Sequence, residues 1–436
     1  MSQILDAPLV FGLLPAVLSG LGGLAGVALL ARRSRSWWTR VVPGLAAGAA
    51  IASLLLAWVV DEVWRPFPDS LPWRVAAWLG VGLFALALAV ASFWGSTWWR
   101  RGGAVLAALL VVGTCAVKIN AFYGEFPTLR TALGLPTADE VAFAQNAAWV
   151  SSPFRGRPGQ PLEEGWAPPA TMPSHGVISQ VWIPPTVSGF ASRDAYVYLP
   201  PAYLTQHRPL LPVVVLLHGQ PGAPVDWVAG GQIAAMMDAF AAAHHGLAPV
   251  VVDADDTGTE MGNPLCLDSA LGNSETYLTV DVPNWIKDTL QVDQDTRHWA
   301  VAGFSYGGTC SLQLALRRPD LYPTFIDISG QTEPTLGDRE RTVNAAFGGD
   351  EAKFRQVNPF DELAARKYPG TAGMITAGHA DSEYLPQQQK VYAVASSAGL
   401  DVHWLEVPGG HTWQAWGAGL QQSLDWLAQR TGLIAS

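Results

Sequence analysis

The stretch Trp299-Ala-Val-Ala-Gly303-Phe-Ser305-Tyr-Gly307-Gly308 decides how this chain folds. Its first four residues are apolar, as a buried strand requires. A serine framed by glycines follows, and a helical pattern then runs to about residue 317. A strand that becomes a helix within five residues needs a sharp elbow, which pushes the serine at its apex outward with the hydroxyl exposed. Glycine at 303 and 307 suits that turn, because a β-carbon there would clash. In a chain with 44 glycines the pentapeptide alone is weak evidence. Its place between a strand and a helix gives it weight.

The same alternation extends on both sides. Strands are expected at 177–183, 195–199, 211–217, 248–252, 322–328, 374–377 and 402–407. Helices are expected at 232–244, 282–290, 387–398 and 413–429. Strands alternating with helices imply an α/β class: a mostly parallel sheet with helices on both faces.

A serine hydroxyl becomes a nucleophile only beside a base, and the base needs an orienting carboxylate. In a fold with this elbow the chain order is serine, acid, histidine. His379, His403 and His411 follow Ser305. His403 lies inside a strand. His379 lies on the loop that should carry the acid. His411 sits in Pro408-Gly-Gly-His-Thr, a turn after the last strand, and is the expected base. Asp381 in Gly378-His-Ala-Asp381-Ser-Glu383 is the expected acid, with Glu383 as the fallback. An oxyanion needs two backbone N–H donors. Tyr306 should supply one, and Gln220 in Leu217-His-Gly-Gln-Pro-Gly222 the other.

Several other residues have plainer readings. His218 reads as structural, and Trp413 and Trp416 as packing residues. Asp253, Asp255 and Asp256 read as a solvated loop rather than a cation site. Three cysteines lack zinc-ligand spacing. Cys266 and Cys310 are candidates for a disulfide, which spacing leaves open. No phosphate loop, dinucleotide loop or zinc-protease helix occurs, so neither a metal nor a cofactor is expected.

The first quarter is different in kind. Apolar runs fill residues 10–30, 41–60, 75–92 and 104–117. The longer ones have the length that spans a hydrocarbon core. Residues 1–8 contain no Lys or Arg, which argues against a secretory signal peptide. Arg32, Arg33, Arg35 and Arg40 occupy the first loop, and Arg100 and Arg101 the third. Basic loops stay cytoplasmic, which places both termini outside and the catalytic half with them. Tryptophans at 37, 38, 58, 64, 73, 94, 98 and 99 mark the borders as interfacial belts do.

Residues 1–125 carry a net charge of +4 and the remainder −14. So acidic a domain repels nucleic acid, and none is expected as a partner. Three segments follow: a four-span membrane domain over 1–124, a connection over 125–175, and a catalytic domain over 176–436. Within the connection, Thr137-Ala-Asp-Glu140 is a capping-box pattern opening a short helix to about 149. Residues 151–173 are rich in Pro and Gly and read as an extended linker.

From about 177 to 430 the chain resembles the esterase family of α/β-hydrolases that groups esterase D/S-formylglutathione hydrolases, enterochelin esterases and mycolyltransferases. The pieces that carry the resemblance are Leu216-Leu-His-Gly219 with Trp227, Glu275-Thr-Tyr-Leu-Thr279 followed by Pro283-Asn-Trp-Ile286, Gly303-Phe-Ser-Tyr-Gly-Gly308 and Gly409-Gly-His-Thr-Trp-Gln-Ala-Trp416. The fusion to membrane spans resembles envelope esterases of high-GC Gram-positive bacteria. The resemblance implies a Ser305–Asp381–His411 triad, no cofactor, and ester or thioester substrates. Two features depart from mycolyltransferases. His218-Gly219 stands where they carry Asp-Gly, and Gln387-Gln-Gln389 stands where their acid lies. The expected activity is therefore ester hydrolysis at the outer membrane face, on a lipid-linked acyl or aminoacyl ester. Acyl transfer and a non-catalytic membrane scaffold are the alternatives.

Overall fold

Four helices dominate the first part of the computed structural model: Leu13–Leu30, Trp37–Trp64, Trp73–Ala91 and Trp98–Tyr123. The structure describes every residue except 1, 32–33, 67–69, 95, 137–139, 147 and 436. Contacts divide the chain into two units, 1–136 and 137–436. At 1.5 Å per residue the four helices run about 27–42 Å, long enough to cross a hydrocarbon core. Three of them are longer than the apolar runs. The tryptophan-rich borders continue the helix, because backbone hydrogen bonding does not stop where hydrophobicity falls. Arg32 and Arg33, two of the charges used for orientation, lie outside the described residues. The first and fourth helices pack through small residues. Thr114 Oγ1 donates to the Leu18 carbonyl at 2.9 Å, and a β-carbon on Gly22 would strike Thr114.

The second unit is built on ten strands: β1 (Val177–Val181), β2 (Ala195–Leu199), β3 (Val213–Leu217), β4 (Val250–Asp253), β5 (Asp268–Ser269), β6 (Gly272–Asn273), β7 (Trp299–Phe304), β8 (Thr324–Ile328), β9 (Ala372–Gly378) and β10 (Asp401–Val407). Eight form one sheet in the order β1-β2-β4-β3-β7-β8-β9-β10, and β5 pairs with β6 alone. β2 is antiparallel to both neighbours, and every other pairing in the sheet is parallel. This is the α/β-hydrolase fold. Val213–Leu217 lies at the centre with all five residues buried, as an apolar run covered on both faces requires. Helices Ile233–Ala243, Val282–Thr289, Tyr306–Arg317, Tyr384–Ser397 and Trp413–Arg430 occupy the expected places. Because seven strands are parallel, the ends of β3, β7, β9 and β10 share one edge of the sheet.

The structure corrects three expectations. The helix proposed from Thr137 to about 149 begins on residues outside those described, and the described remainder carries one 3-10 turn, Phe143–Gln145. Residues 151–173 do not form an extended linker. Leu162 and Trp166 are buried in the hydrolase core, with Phe154 and Met172 packed against it. The N–H groups of Leu162 and Glu163 donate to the carbonyls of Gly432 and Leu433, both at 3.0 Å. Proline and glycine removed the periodicity that signals an element, but isolated large apolar side chains still anchor an irregular strap. Asp253, Asp255 and Asp256 are fully buried rather than solvated. Between β8 and β9 the chain also forms three short helices, Arg339–Phe347, Glu351–Arg355 and Pro359–Ala365.

Candidate active site

Ser305 stands between the end of β7 and the first residue of helix Tyr306–Arg317. Its backbone is at φ 53° and ψ −119°, a region non-glycine residues enter only where the surroundings impose it. The elbow is held from outside: the Ser305 N–H donates to the Ile328 carbonyl at 2.8 Å. A β-carbon on Gly303 would run into the Gly307 carbonyl, and one on Gly307 into the carbonyls of Leu217 and His218. The glycine frame is therefore a steric requirement of this turn.

Three of the residues picked from the sequence meet at the sheet edge. His411 Nε2 lies 2.9 Å from Ser305 Oγ. His411 Nδ1 lies 2.9 Å from Asp381 Oδ2. A carboxylate can only accept, so Nδ1 carries the proton and Nε2 is left to accept from the serine hydroxyl. The other oxygen of Asp381 accepts from the N–H of Tyr384 at 2.9 Å and of Glu383 at 3.3 Å. Asp381 is buried, and these bonds fix its orientation. Glu383, the fallback acid, is exposed on the same loop. Burial of part of its carboxyl raises its pKa, against the pull of His411. His379 and His403 lie apart from this group. The His379 ring faces the Val407 carbonyl, and His403 projects from β10 beside Asp401.

The imidazole is also held by rings. Tyr384 stacks on His411 at 3.9 Å and 16°, and the edge of Trp416 meets it at 5.1 Å and 89°. Trp413 and Trp416 belong to a buried aromatic cluster with Phe304 and Trp227, which matches their reading as packing residues. The role of Tyr384 had no signal in the sequence, since a lone tyrosine opening a helix is unremarkable.

The two candidate oxyanion donors lie on the elbow and on the loop after β3. Tyr306 opens its helix, so its N–H has no acceptor within the helix. Gln220 lies on the loop after β3, and its side chain is tied down. Its amide donates to the Met261 carbonyl at 3.3 Å and accepts from Asn263 at 3.2 Å.

A buried ionic cluster locks this loop. Arg193 donates to Asp255 through its backbone N–H (2.6 Å) and its guanidinium (2.7 Å), and to the Gly222 carbonyl (3.0 Å). His218 Nδ1 faces the Gly219 carbonyl at 2.7 Å, so it carries a proton. Its Nε2 faces Asp256 at 2.9 Å and Asp255 at 3.3 Å. Two carboxylates facing that nitrogen favour its protonated form. Burial opposes the charge on His218, but Asp256 and Asp255 outweigh it and hold its pKa well above the usual value. Burial likewise opposes ionisation of Asp255, and the bonds from His218 and Arg193 overcome it. His218, Asp255 and Asp256 have donor atoms within 4.8 Å of one another, as a cation site would. The imidazolium and the guanidinium already supply positive charge there. Sequence reasoning missed Arg193, an isolated arginine in an irregular loop.

A disulfide joins Cys266, on the loop after β4, to Cys310 on the serine's own helix. A polar cleft of about 470 Å³ is lined by residues including Thr332, Arg339, Asn358 and Lys390. Thr332 follows Gln331, whose amide reaches the Tyr384 hydroxyl at 3.4 Å.

Residues 191–427 match the sequence model of the family described as Putative esterase, and that span is more than half of the chain. The chain belongs to this esterase family. An uncharacterised protein of Corynebacterium glutamicum is 38% identical to this esterase over 431 residues, covering 96% of this chain and 95% of the relative. The likeness therefore spans the apolar helices as well as the hydrolase domain. Among solved structures, an S-formylglutathione hydrolase from Agrobacterium tumefaciens is 19% identical, covering 59% of this chain and 97% of its own, with a TM-score of 0.47. MPT51 of Mycobacterium tuberculosis is 16% identical, covering 58% and 97%, with a TM-score of 0.44. Family membership gives this chain an esterase-type function, and the structure adds four helices long and apolar enough to span a membrane.

Proposed function

We propose that this chain is a membrane-held, extracytoplasmic serine esterase that hydrolyses a lipid-linked acyl or aminoacyl ester. The observation that carries the reading is the unbroken chain from Ser305 through His411 to Asp381, with both links at 2.9 Å. In the reaction, His411 Nε2 takes the hydroxyl proton as Ser305 Oγ attacks the ester carbonyl. The N–H groups of Tyr306 and Gln220 receive the negative charge that develops on the carbonyl oxygen. His411 then returns the proton to the leaving alcohol, and an acyl-serine remains. Water, deprotonated by the same imidazole, attacks it and releases the acid. Asp381 keeps the ring in the tautomer these transfers need.

Three features support the location. Basic residues concentrate in the first and third loops of the apolar quarter. The Cys266–Cys310 disulfide suits an oxidising compartment. The strap is docked, so little chain is left as a tether. Leu135, whose N–H bonds to Arg130, and Val141, whose N–H bonds to Ile178, are only six residues apart. Fully extended, six residues cover about 20 Å. A bilayer-embedded anchor on so short a tether keeps the domain among lipids, where the effective concentration of a lipid ester can reach the millimolar range.

The test uses the full chain in membranes, with an envelope lipid extract and, separately, p-nitrophenyl acetate. The wild type should consume one lipid ester, release free acid or amino acid, and hydrolyse the soluble ester. Ser305→Ala should do neither. Hydrolysis of the soluble ester with no change in any lipid would overturn the lipid assignment. A new ester formed with added glycerol or sugar would replace hydrolysis by acyl transfer.

A further inference from the structure

Large apolar side chains are unevenly exposed on the hydrolase unit. Among its described residues, Trp149, Trp182, Val187, Val225, Met261 and Leu271 are the exposed ones. Trp182 and Val187 lie on the loop leaving β1, Val225 beyond the loop leaving β3, Met261 on the loop leaving β4, and Leu271 in the turn of the β5–β6 hairpin within the same β4–β7 connection. The ends of β1, β3 and β4 lie on the edge that carries Ser305, because these strands run parallel to β7. Five of the six therefore lie on the active-site edge. The sixth, Trp149, lies beside Thr289, to whose carbonyl it donates at 3.2 Å.

These three loops form one rim. Asn273 donates to the Ser188 carbonyl at 2.9 Å, joining the β4 and β1 loops. Arg193 donates to the Gly222 carbonyl at 3.0 Å, joining the β1 and β3 loops. The Gly222 N–H donates to the Glu260 carbonyl at 3.0 Å, joining the β3 and β4 loops. Apolar side chains held out on a hydrogen-bonded rim beside a reactive serine mark an interaction surface. Across 182–194, 218–224 and 254–273 the only Lys or Arg is Arg193, which is engaged with Asp255. Asp194, Glu260 and Asp268 are exposed there. The rim is therefore apolar and acidic, which suits an uncharged or zwitterionic surface and opposes an anionic one.

We infer that this rim docks on the bilayer that the four apolar helices span, so that the serine takes its ester from the lipid leaflet. The occupant follows from the chain itself: the same polypeptide carries four membrane-length helices, joined to the domain by a tether of a few residues. The inference rests on the lipid-ester reading for its purpose, but its test does not.

The test reconstitutes the full chain in phosphatidylcholine vesicles containing doxyl-labelled phosphatidylcholine, with no substrate. A fluorophore is placed at Val187→Cys, at Leu271→Cys, or at Arg297→Cys as a control just before the start of β7. Quenching at 187 and 271 should be at least twice that at 297, and added phosphatidylglycerol should weaken it. Equal quenching at all three positions, or none at 187 and 271, overturns the proposal. This arm decides even if no lipid ester is ever found. A Val187→Glu/Leu271→Glu variant should lose at least tenfold in lipid-ester turnover and keep its rate on p-nitrophenyl acetate, which also reports an intact fold. Lipid turnover that falls without any rim quenching would assign the rim to the acyl chain of the substrate and overturn bilayer docking.

Discussion

Removing the Cys266–Cys310 bridge should cost the esterase domain much of its stability and little of its chemistry. The Cα atoms lie 5.5 Å apart, and the two cysteines are separated by 44 residues. Closing a loop of that size in the unfolded chain removes entropy worth about 4 kcal/mol in the chain-entropy treatment. Both cysteines are buried, so the replacement should be Cys266→Ala/Cys310→Ala, which leaves no buried hydroxyl without a partner. For a domain of this size each kcal/mol moves Tm by about 2 °C, which gives a fall of roughly 8 °C. The Cys266 N–H also donates to the Tyr306 hydroxyl at 2.7 Å, a link that survives the substitution and holds the loop near the elbow. Hydrolysis of p-nitrophenyl acetate at 25 °C should therefore persist. The assay is a thermal melt of the purified full chain with and without reductant, beside the double-alanine variant. Wild type with reductant should melt with the variant. A melting point within about 2 °C of the oxidised wild type, or two free thiols in the unreduced protein, would refute the argument.

Asp381→Asn should lower kcat on p-nitrophenyl acetate on the order of 10⁴-fold by leaving His411 in the wrong tautomer. Glu383→Gln should stay within about tenfold, and the opposite ranking would transfer the acid role to Glu383. Burial lifts Asp327, behind the elbow, to about 7, although Gln388 and the Gly330 N–H bond to it. A raised carboxyl pKa favours the folded state below the unfolded value near 3.9, and that stability is lost as pH rises through 7. Asp327→Asn should therefore flatten the fall in Tm between pH 5 and pH 8, and an unchanged slope would remove Asp327 as its source. An alkaline-phosphatase fusion at the C-terminus should be active and one at Ser36 inactive, and the reverse would place the esterase in the cytoplasm.

The sheet was legible because its central strands are apolar runs bounded by turn residues, as in Val213–Leu217 and Val250–Asp253. That Ser305, Asp381 and His411 would come together was legible because chain order and strand ends constrain them. What escaped depends on tertiary contact. Leu162 and Trp166 sit in a stretch whose prolines and glycines erase periodicity, so nothing local reveals that they reach the core. The aspartates after β4 looked solvated because charge usually is. Their burial depends on Arg193 and His218, which come from the loops leaving β2's neighbour β1 and strand β3. The short helices between β8 and β9 run only five to nine residues, too short for an apolar stripe to repeat and announce them.

The central claim is that Ser305 is the nucleophile, and covalent labelling tests it most directly. The purified full chain is treated with a fluorophosphonate probe, digested and mapped by mass spectrometry, beside Ser305→Ala. The account predicts a single phosphonylated peptide modified at Ser305. It also predicts no label on Ser305→Ala and a fall in p-nitrophenyl acetate hydrolysis on the order of 10⁴-fold or more. An unlabelled wild type, a label on another residue, or a Ser305→Ala chain that still hydrolyses the ester at the wild-type rate would contradict it.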